Sequence, residues 1–203
     1  LQTDYVDLYQ LHSPSLRDIE VQSDLFDFLQ KLLSRGLARA VGVSVANPRG
    51  AITFIQKFQV QTLQVNFNLL DQRVRGLDLL TLAREAQVGL IGRTPLCFGY
   101  LTGKYNPESV LKSNDHRNNW SLKQRKVWAS GISKFRLPKS TLSKIQYALN
   151  FCLSFPEIST IIPGFLEPEH VFENVAAANM DRFSIDELGQ LYRIYQSNQF
   201  YVS

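Results

Sequence analysis

Apolar residues run together in five short stretches and recur at helical spacing between them, so the chain reads as strand and helix in regular succession. The first stretch, Asp4 to His12, is β-branched and aromatic, ends in a histidine and is closed by the breaker Ser13-Pro14. A helix is predicted from about Asp18 to Arg35, with Leu25, Phe26, Leu29, Leu32 and Leu33 along one face and Gly36 as its stop. Ala38 to Val45 reads as a short buried strand. Asn47-Pro48 then supplies an N-cap and a Pro at the first helical position of a helix through Phe54, Ile55 and Phe58. A third strand, about Thr62 to Phe67, leads to a helix from about Gly76 to Ala86, and a fourth strand, Val88 to Arg93, follows almost at once.

The pattern is lost between Thr94 and Ser140, a stretch with Pro95, Gly99, Gly103 and Pro107 that reads as a functional loop carrying short helices. Helix returns from about Thr141 to Ser154, a fifth strand spans Ile158 to Ile162, and Pro168 opens another helix to about Asn179. Ser184-Ile185-Asp186-Glu187 is a capping box for a C-terminal helix. Helical crossovers between strands require a parallel sheet. No GxGxxG turn follows the first strand, which argues against a doubly wound dinucleotide-binding sheet. The expected fold is therefore an α/β, (β/α)8 (TIM) barrel, here only its last five βα units as an incomplete, open barrel plus a C-terminal helix. In such a barrel the chemistry sits at the strand tips, where His12 lies.

With 203 residues, 44% apolar and 20% charged, the chain has the size and balance of one globular domain, 1–203. No apolar run approaches the roughly 18 residues of a membrane span, so no membrane association is expected and the cytoplasm is the expected compartment. Cys97 and Cys152 follow no metal-site spacing, and no metal is expected. The net charge of +4 is uneven: residues 112–139 hold eight Lys or Arg against the single acid Asp115, a local +7. That segment, with Trp120 and Trp128, carries no recognition motif, so nucleic acid is not an expected partner. The chain opens at Leu1 and its one methionine is Met180, from which an N-terminal truncation is expected. An open sheet of this kind leaves two edge strands, so self-association, or association with a missing N-terminal part, is expected as well.

Several stretches in fixed order resemble the aldo-keto reductase family: 4–12, Gly42-Val43-Ser44, Gln64 to Asn68, Pro95-Leu96 with Gly99 and 101–105, and Ile162-Pro163-Gly164 with Glu173-Asn174. The resemblance implies hydride transfer from a nicotinamide cofactor to an aldehyde or ketone, a small-molecule carbonyl substrate, without a metal. It makes His12 the histidine that orients the carbonyl, where an imidazole donates to an oxygen gaining charge. It also makes Ser44 and Gln64 the carboxamide contacts and puts Arg93 against the nicotinamide. Backbone around Thr94, Pro95 and Leu96, and around Gly99, Leu101, Gly103 and Lys104, would cradle the pyrophosphate. Gly164, His170, Glu173 and Asn174 fall to the adenine end. Read alone, His12 could equally cap a strand, Gln64 fill a barrel interior and Arg93 be a solvated strand-end charge.

Three positions depart from the family pattern. Val45 stands where asparagine is usual, and Phe165 and His170 stand where a Ser or Thr and an Arg usually grip the 2′-phosphate of NADP. NADP is the expected cofactor, with NAD as the alternative. The family's catalytic aspartate, tyrosine and lysine lie on strands before the one that opens this chain, so none is assigned here and the chain alone is expected to be inactive. The alternative reading is a non-enzymatic relative that senses or is regulated by a nucleotide.

Overall fold

The computed structural model describes residues 2–15, 17, 24–135 and 143–202. Five strands, β1 (Val6–His12), β2 (Ala38–Ser44), β3 (Thr62–Asn66), β4 (Gly89–Arg93) and β5 (Ile158–Ile162), lie in one sheet in the order of the sequence. β1 pairs with β2, and β2 with β3, in parallel. The helices between them are α1 (Asp24–Ser34), α2 (Pro48–Phe58), the short α3 (Arg73–Gly76) and α4 (Leu79–Glu85). After β4 come α5 (Leu122–Gly131) and α6 (Lys144–Leu153), and after β5 come α7 (Pro168–Ala178) and α8 (Ile185–Gln196). The predicted alternation is thus present, in an α/β arrangement with strands in sequential order.

Local signals place the helix ends. Asn47 caps α2 by accepting from the Arg49 N–H at 3.0 Å, with Pro48 at the first position. Ser184 and Glu187 form the expected capping box of α8. A second box, Ser143 with Gln146, opens α6 and was not anticipated. The helix predicted over 76–86 is instead two short ones. Asp78 adopts a left-handed conformation (φ 54°), which no continuous right-handed helix admits. The predicted starts of two other helices, 18–23 and 141–142, lie outside the described residues.

The described residues form two compact units, one of Leu1–Asn66, Arg73–Ile91 and Glu157–Thr160, the other of Phe67–Gln72, Gly92–Pro156 and Ile161–Ser203. In the first, Leu29, Ala38 and Val41 form a core against which Val6, Leu11, Phe26, Leu32 and Leu33 pack. Phe26 stacks on Phe58 with ring centroids 4.1 Å apart, which ties α1 to α2. In the second unit, Phe67, Phe151 and Phe155 form a ring cluster with centroids 5.0–5.4 Å apart. A second cluster joins Phe98, Trp120, Trp128, Tyr100 and Tyr201. Trp128 is almost fully buried there, so its ring is part of the unit's packing. Both cysteines are free and buried, and burial pushes both thiols upward in pKa.

Candidate functional site

In the first unit, three of the sequence-predicted residues fall in one row. His12, the last residue of β1, is in register with Ser44, the last of β2, and Ser44 is in register with Gln64 on β3. Strands paired in parallel register put such residues side by side on one face. His12 is exposed, whereas Ser44 is buried. After His12 the backbone turns away through Ser13 in a left-handed conformation (φ 52°), its N–H held by the Ser44 carbonyl at 2.8 Å. The Val45 N–H donates to the Gln64 carbonyl at 2.9 Å, which continues the pairing beyond the tip of β2. Val45 itself is buried apolar packing, and its side chain offers no hydrogen-bonding group at this position.

A second row lies one pleat back: Gln10, Gly42 and Thr62 are in register. Gly42 leaves a gap, because a Cβ there would stand 1.9 Å from Thr62 Oγ1 and 2.4 Å from the Thr62 carbonyl oxygen. Through that gap Gln10 Nε2 donates to Thr62 Oγ1 at 3.1 Å. The two rows are linked, since Gln64 Nε2 donates to Gln10 Oε1 at 3.0 Å and the Ser44 hydroxyl donates to Gln64 Oε1 at 3.3 Å. The donors therefore run head to tail, Ser44 to Gln64 to Gln10 to Thr62. Sequence reading named Ser44 and Gln64 but not Gln10 or Thr62. The available signal was spacing, since Gln10 lies two residues before His12 and so on the same face of β1.

The second unit holds the other predicted residues. Arg93 ends β4, and its carbonyl accepts the Phe67 N–H at 3.2 Å. Burial lowers the guanidinium's pKa, while the nearby Asp71 carboxylate and Tyr201 act in the opposite sense. Asp71 is fully buried and accepts a 2.8 Å hydrogen bond from the Tyr201 hydroxyl. The buried Asn68 braces the next residue, donating to the Thr94 carbonyl at 2.9 Å and accepting from the Leu70 N–H at 2.8 Å. Gln124 holds the C-terminal tail in two places, donating to the Phe200 carbonyl at 2.8 Å and accepting from the Val202 N–H at 2.9 Å.

From Thr94 the loop departs from ordinary backbone. Thr94, Cys97 and Phe98 have φ of 53°, 46° and 56°, and Gly99 and Gly103 have φ of 90° and 76°. Left-handed backbone at three side-chain-bearing residues costs on the order of 1 kcal/mol or more each and persists only where surroundings impose it. Pro95 and Leu96 lie at the turn. The Leu96 carbonyl accepts the N–H groups of Gly99 and Leu101 at 3.0 and 3.1 Å. Gly103 N–H donates to the Tyr100 carbonyl at 3.4 Å, and Lys104 N–H to Thr102 Oγ1 at 3.1 Å. The loop thus spends much of its backbone donor capacity on its own shape, and side chains must supply the rest of any grip on an anion.

Such side chains converge nearby. Lys144, first residue of α6, lies along Gly103, its Nζ 2.6 Å from where a Cβ would stand. Lys104 Nζ is 3.5 Å from His170 Nε2. His170 Nδ1 accepts the Leu166 N–H at 3.2 Å, so in the neutral ring the proton is on Nε2. The ammonium and that N–H then face each other as two donors, an arrangement completed by an acceptor between them. Glu173 accepts from the Ser143 hydroxyl at 2.5 Å, and the Asn174 side-chain N–H group is buried without a hydrogen-bond partner among the described residues. Gly164 stands in the open, with nothing within 4 Å of a built Cβ. Sequence reading missed Lys144, whose place beside Gly103 depends on the approach of α6.

Among the described residues no group of three or more His, Cys, Asp or Glu is placed to hold a metal, and no helix is long and apolar enough to cross a membrane. The sequence is 27% identical over 192 residues to the uncharacterized oxidoreductase YqkF of Bacillus subtilis, covering 94% of this chain and 60% of that protein. It is 30% identical over 175 residues to the aldo-keto reductase YhdN of the same organism, covering 83% of this chain and 52% of the relative. The fold superposes on the glycerol dehydrogenase AKR11B4 from Gluconobacter oxydans with a TM-score of 0.78, at 23% identity, over 100% of this chain and 62% of that one. The chain thus spans a little over half the length of the relatives it matches. A profile described as the aldo/keto reductase family matches residues 1–196, and with the ordered motifs and the sheet of parallel strands this chain belongs to that family.

Proposed function

We propose that this chain is the cofactor-binding and carbonyl-orienting part of an NAD(P)H-dependent reductase of aldehydes and ketones, built on the last five βα units of an eight-stranded barrel. The observation that carries the reading is the single row of His12, Ser44 and Gln64 across three neighbouring strands. When bound, the nicotinamide supplies the hydride that reduces the carbonyl carbon. His12, exposed at its strand tip, donates a hydrogen bond to the carbonyl oxygen as negative charge develops there. Ser44 and Gln64 hold the carboxamide. Lys104 and Lys144 supply positive charge beside the glycine loop, and Glu173 and Asn174 hold the adenine.

The Asn174 side-chain nitrogen, without a hydrogen-bond partner among the described residues, supports the fit, because a buried N–H without an acceptor costs about 1–3 kcal/mol that an adenine nitrogen would recover. The facing donors of Lys104 and His170 favour NADP over NAD, since a 2′-phosphate oxygen would accept from both. The family's aspartate, tyrosine and lysine have no assigned counterparts in this chain, so it binds cofactor without efficient turnover. Loss of a proton donor alone removes a factor of about 10²–10⁴. The two free, buried cysteines are in keeping with a reducing cytoplasm. β1 and β5 stand at the two ends of the sheet order, which favours their association with further strands, from the rest of a longer protein or from a second copy.

Titration of NADPH fluorescence with the chain tests this reading. Saturable binding, with NADPH oxidation by short aldehydes no faster than in buffer, is the expected result. Absence of any fluorescence change at high protein concentration would overturn it. The buried Val45 favours a second reading, a nucleotide-sensing relative without catalysis, because it removes one carboxamide contact. A longer form with further strands before β1 that binds NADPH yet reduces no carbonyl would decide for the sensor.

A further inference from the structure

We infer that Gln10 is a positioning residue for the nicotinamide end of the site, holding the Gln64 amide in place and locking its orientation to its own, and thereby governing how Ser44 and Gln64 present their polar atoms. The inference rests on the nucleotide-binding reading above and adds to it a residue outside the row that touches the ring. An unrestrained glutamine amide has two nearly isosteric orientations that exchange its oxygen and its NH2 group. Here each end of the Gln64 amide is tied: its oxygen accepts from Ser44 at 3.3 Å and its nitrogen donates to Gln10 at 3.0 Å.

Gln10 can brace Gln64 because its own amide is tethered at its far end. Its Nε2 donates to Thr62 Oγ1 at 3.1 Å, so its Oε1 is the atom turned toward Gln64. Gly42 makes that reach available, since any side chain between the two strands would occupy the space at Thr62. Flipping Gln64 would place its NH2 against the Ser44 hydroxyl and its oxygen against the Gln10 oxygen, two lone-pair acceptors in contact. The Ser44 and Thr62 hydroxyls can each donate or accept, so only a joint reversal of both amides avoids that clash, and the Gln64 amide is locked to that of Gln10. With Val45 apolar, Ser44 and Gln64 carry the carboxamide contact without the usual amide neighbour, and their orientation matters more.

The test compares two ligands on the full chain: NADPH, repeated with NADH, and ADP-ribose, which has no nicotinamide. In Gln10→Leu the dissociation constant for NADPH should rise about five- to tenfold, the scale of one oriented hydrogen bond. ADP-ribose should change less than twofold. Because Gln10 acts through Gln64, adding Gln10→Leu to Gln64→Leu should cause no further loss. Unchanged NADPH affinity in Gln10→Leu, an equal loss for both ligands, or additive losses in the double variant would each overturn the inference. Should Gln10→Leu not fold, Gln10→Met keeps an unbranched stem of similar length and carries the same comparison. If the unsubstituted chain bound neither nucleotide, the nucleotide-binding reading itself would fall and this inference with it, a failure visible before any variant is made.

Discussion

His12 stands directly across from Ser44 in the parallel register of β1 and β2. Neither residue is near the other in sequence, and each closes its strand. A residue that could simply cap a strand end thus becomes one of a line of three polar side chains, and the row one pleat back braces that line through Gln10.

Gly42 is the narrowest point of the arrangement. Gly42→Ala would drive a methyl into Thr62, where the backbone carbonyl as well as the hydroxyl stands in the way. Because backbone cannot step aside as a flexible side chain does, β2 and β3 must separate locally. A loss of about 1–3 kcal/mol or more is expected, read from the midpoint of urea unfolding. A midpoint equal to that of the parent would show that the strands absorb the methyl.

The C-terminal tail is held by polar contacts made far from it in sequence. Tyr201→Phe removes the hydroxyl that donates from the tail to the buried Asp71 carboxylate, a 2.8 Å bond. Bonds of this kind to a carboxylate contribute about 1.5–3 kcal/mol, and a loss of that order is expected by chemical denaturation. Little or no loss would mean that Asp71 finds compensation elsewhere.

Asp115 and Arg117 form a bidentate pair at 2.8 and 2.5 Å, with Arg117 also stacked 4.1 Å over Tyr105. The hydrogen bonds from Arg117 hold the Asp115 carboxyl well below the usual carboxylate range. A carboxyl so lowered stabilises the fold above its unfolded pKa, and that contribution is lost as pH falls toward the folded value. The parent chain should therefore melt higher than Asp115→Asn at neutral pH, and the difference should shrink below about pH 4. A gap in melting temperature that stays constant from pH 7 to pH 3 would contradict the pairing.

Cys97 and Cys152 are fully buried, and burial raises both thiols' pKa. Neither should react with an aromatic disulfide reagent in the native state, and both should react once the chain is denatured. Rapid native-state labelling of either would show that its surroundings open readily.

The helices whose ends are marked by capping side chains were legible from sequence because a cap is a local device: Asn47-Pro48 and the Ser184–Glu187 box act within one turn of backbone. The break between α3 and α4 was not legible, because the apolar spacing over 76–86 continues through Asp78 and only its left-handed backbone interrupts the helix. Gln10 was visible as a member of a motif but not as a contact, since its partners Thr62 and Gln64 lie 52 and 54 residues away.

The sequence by itself determined the order of strands and helices, the histidine at the first strand's tip and the set of motifs that places the chain in its family, because periodicity, caps and breakers act over a few residues. Tertiary structure decided the rest. Register aligned His12, Ser44 and Gln64, the absence of a side chain at Gly42 admitted the relay from Gln10 to Thr62, and packing of α6 laid Lys144 along Gly103. The physical reason is that a hydrogen bond between side chains requires two atoms within about 3 Å. Only the pairing of whole strands and the seating of whole helices brings residues from distant parts of the chain so close.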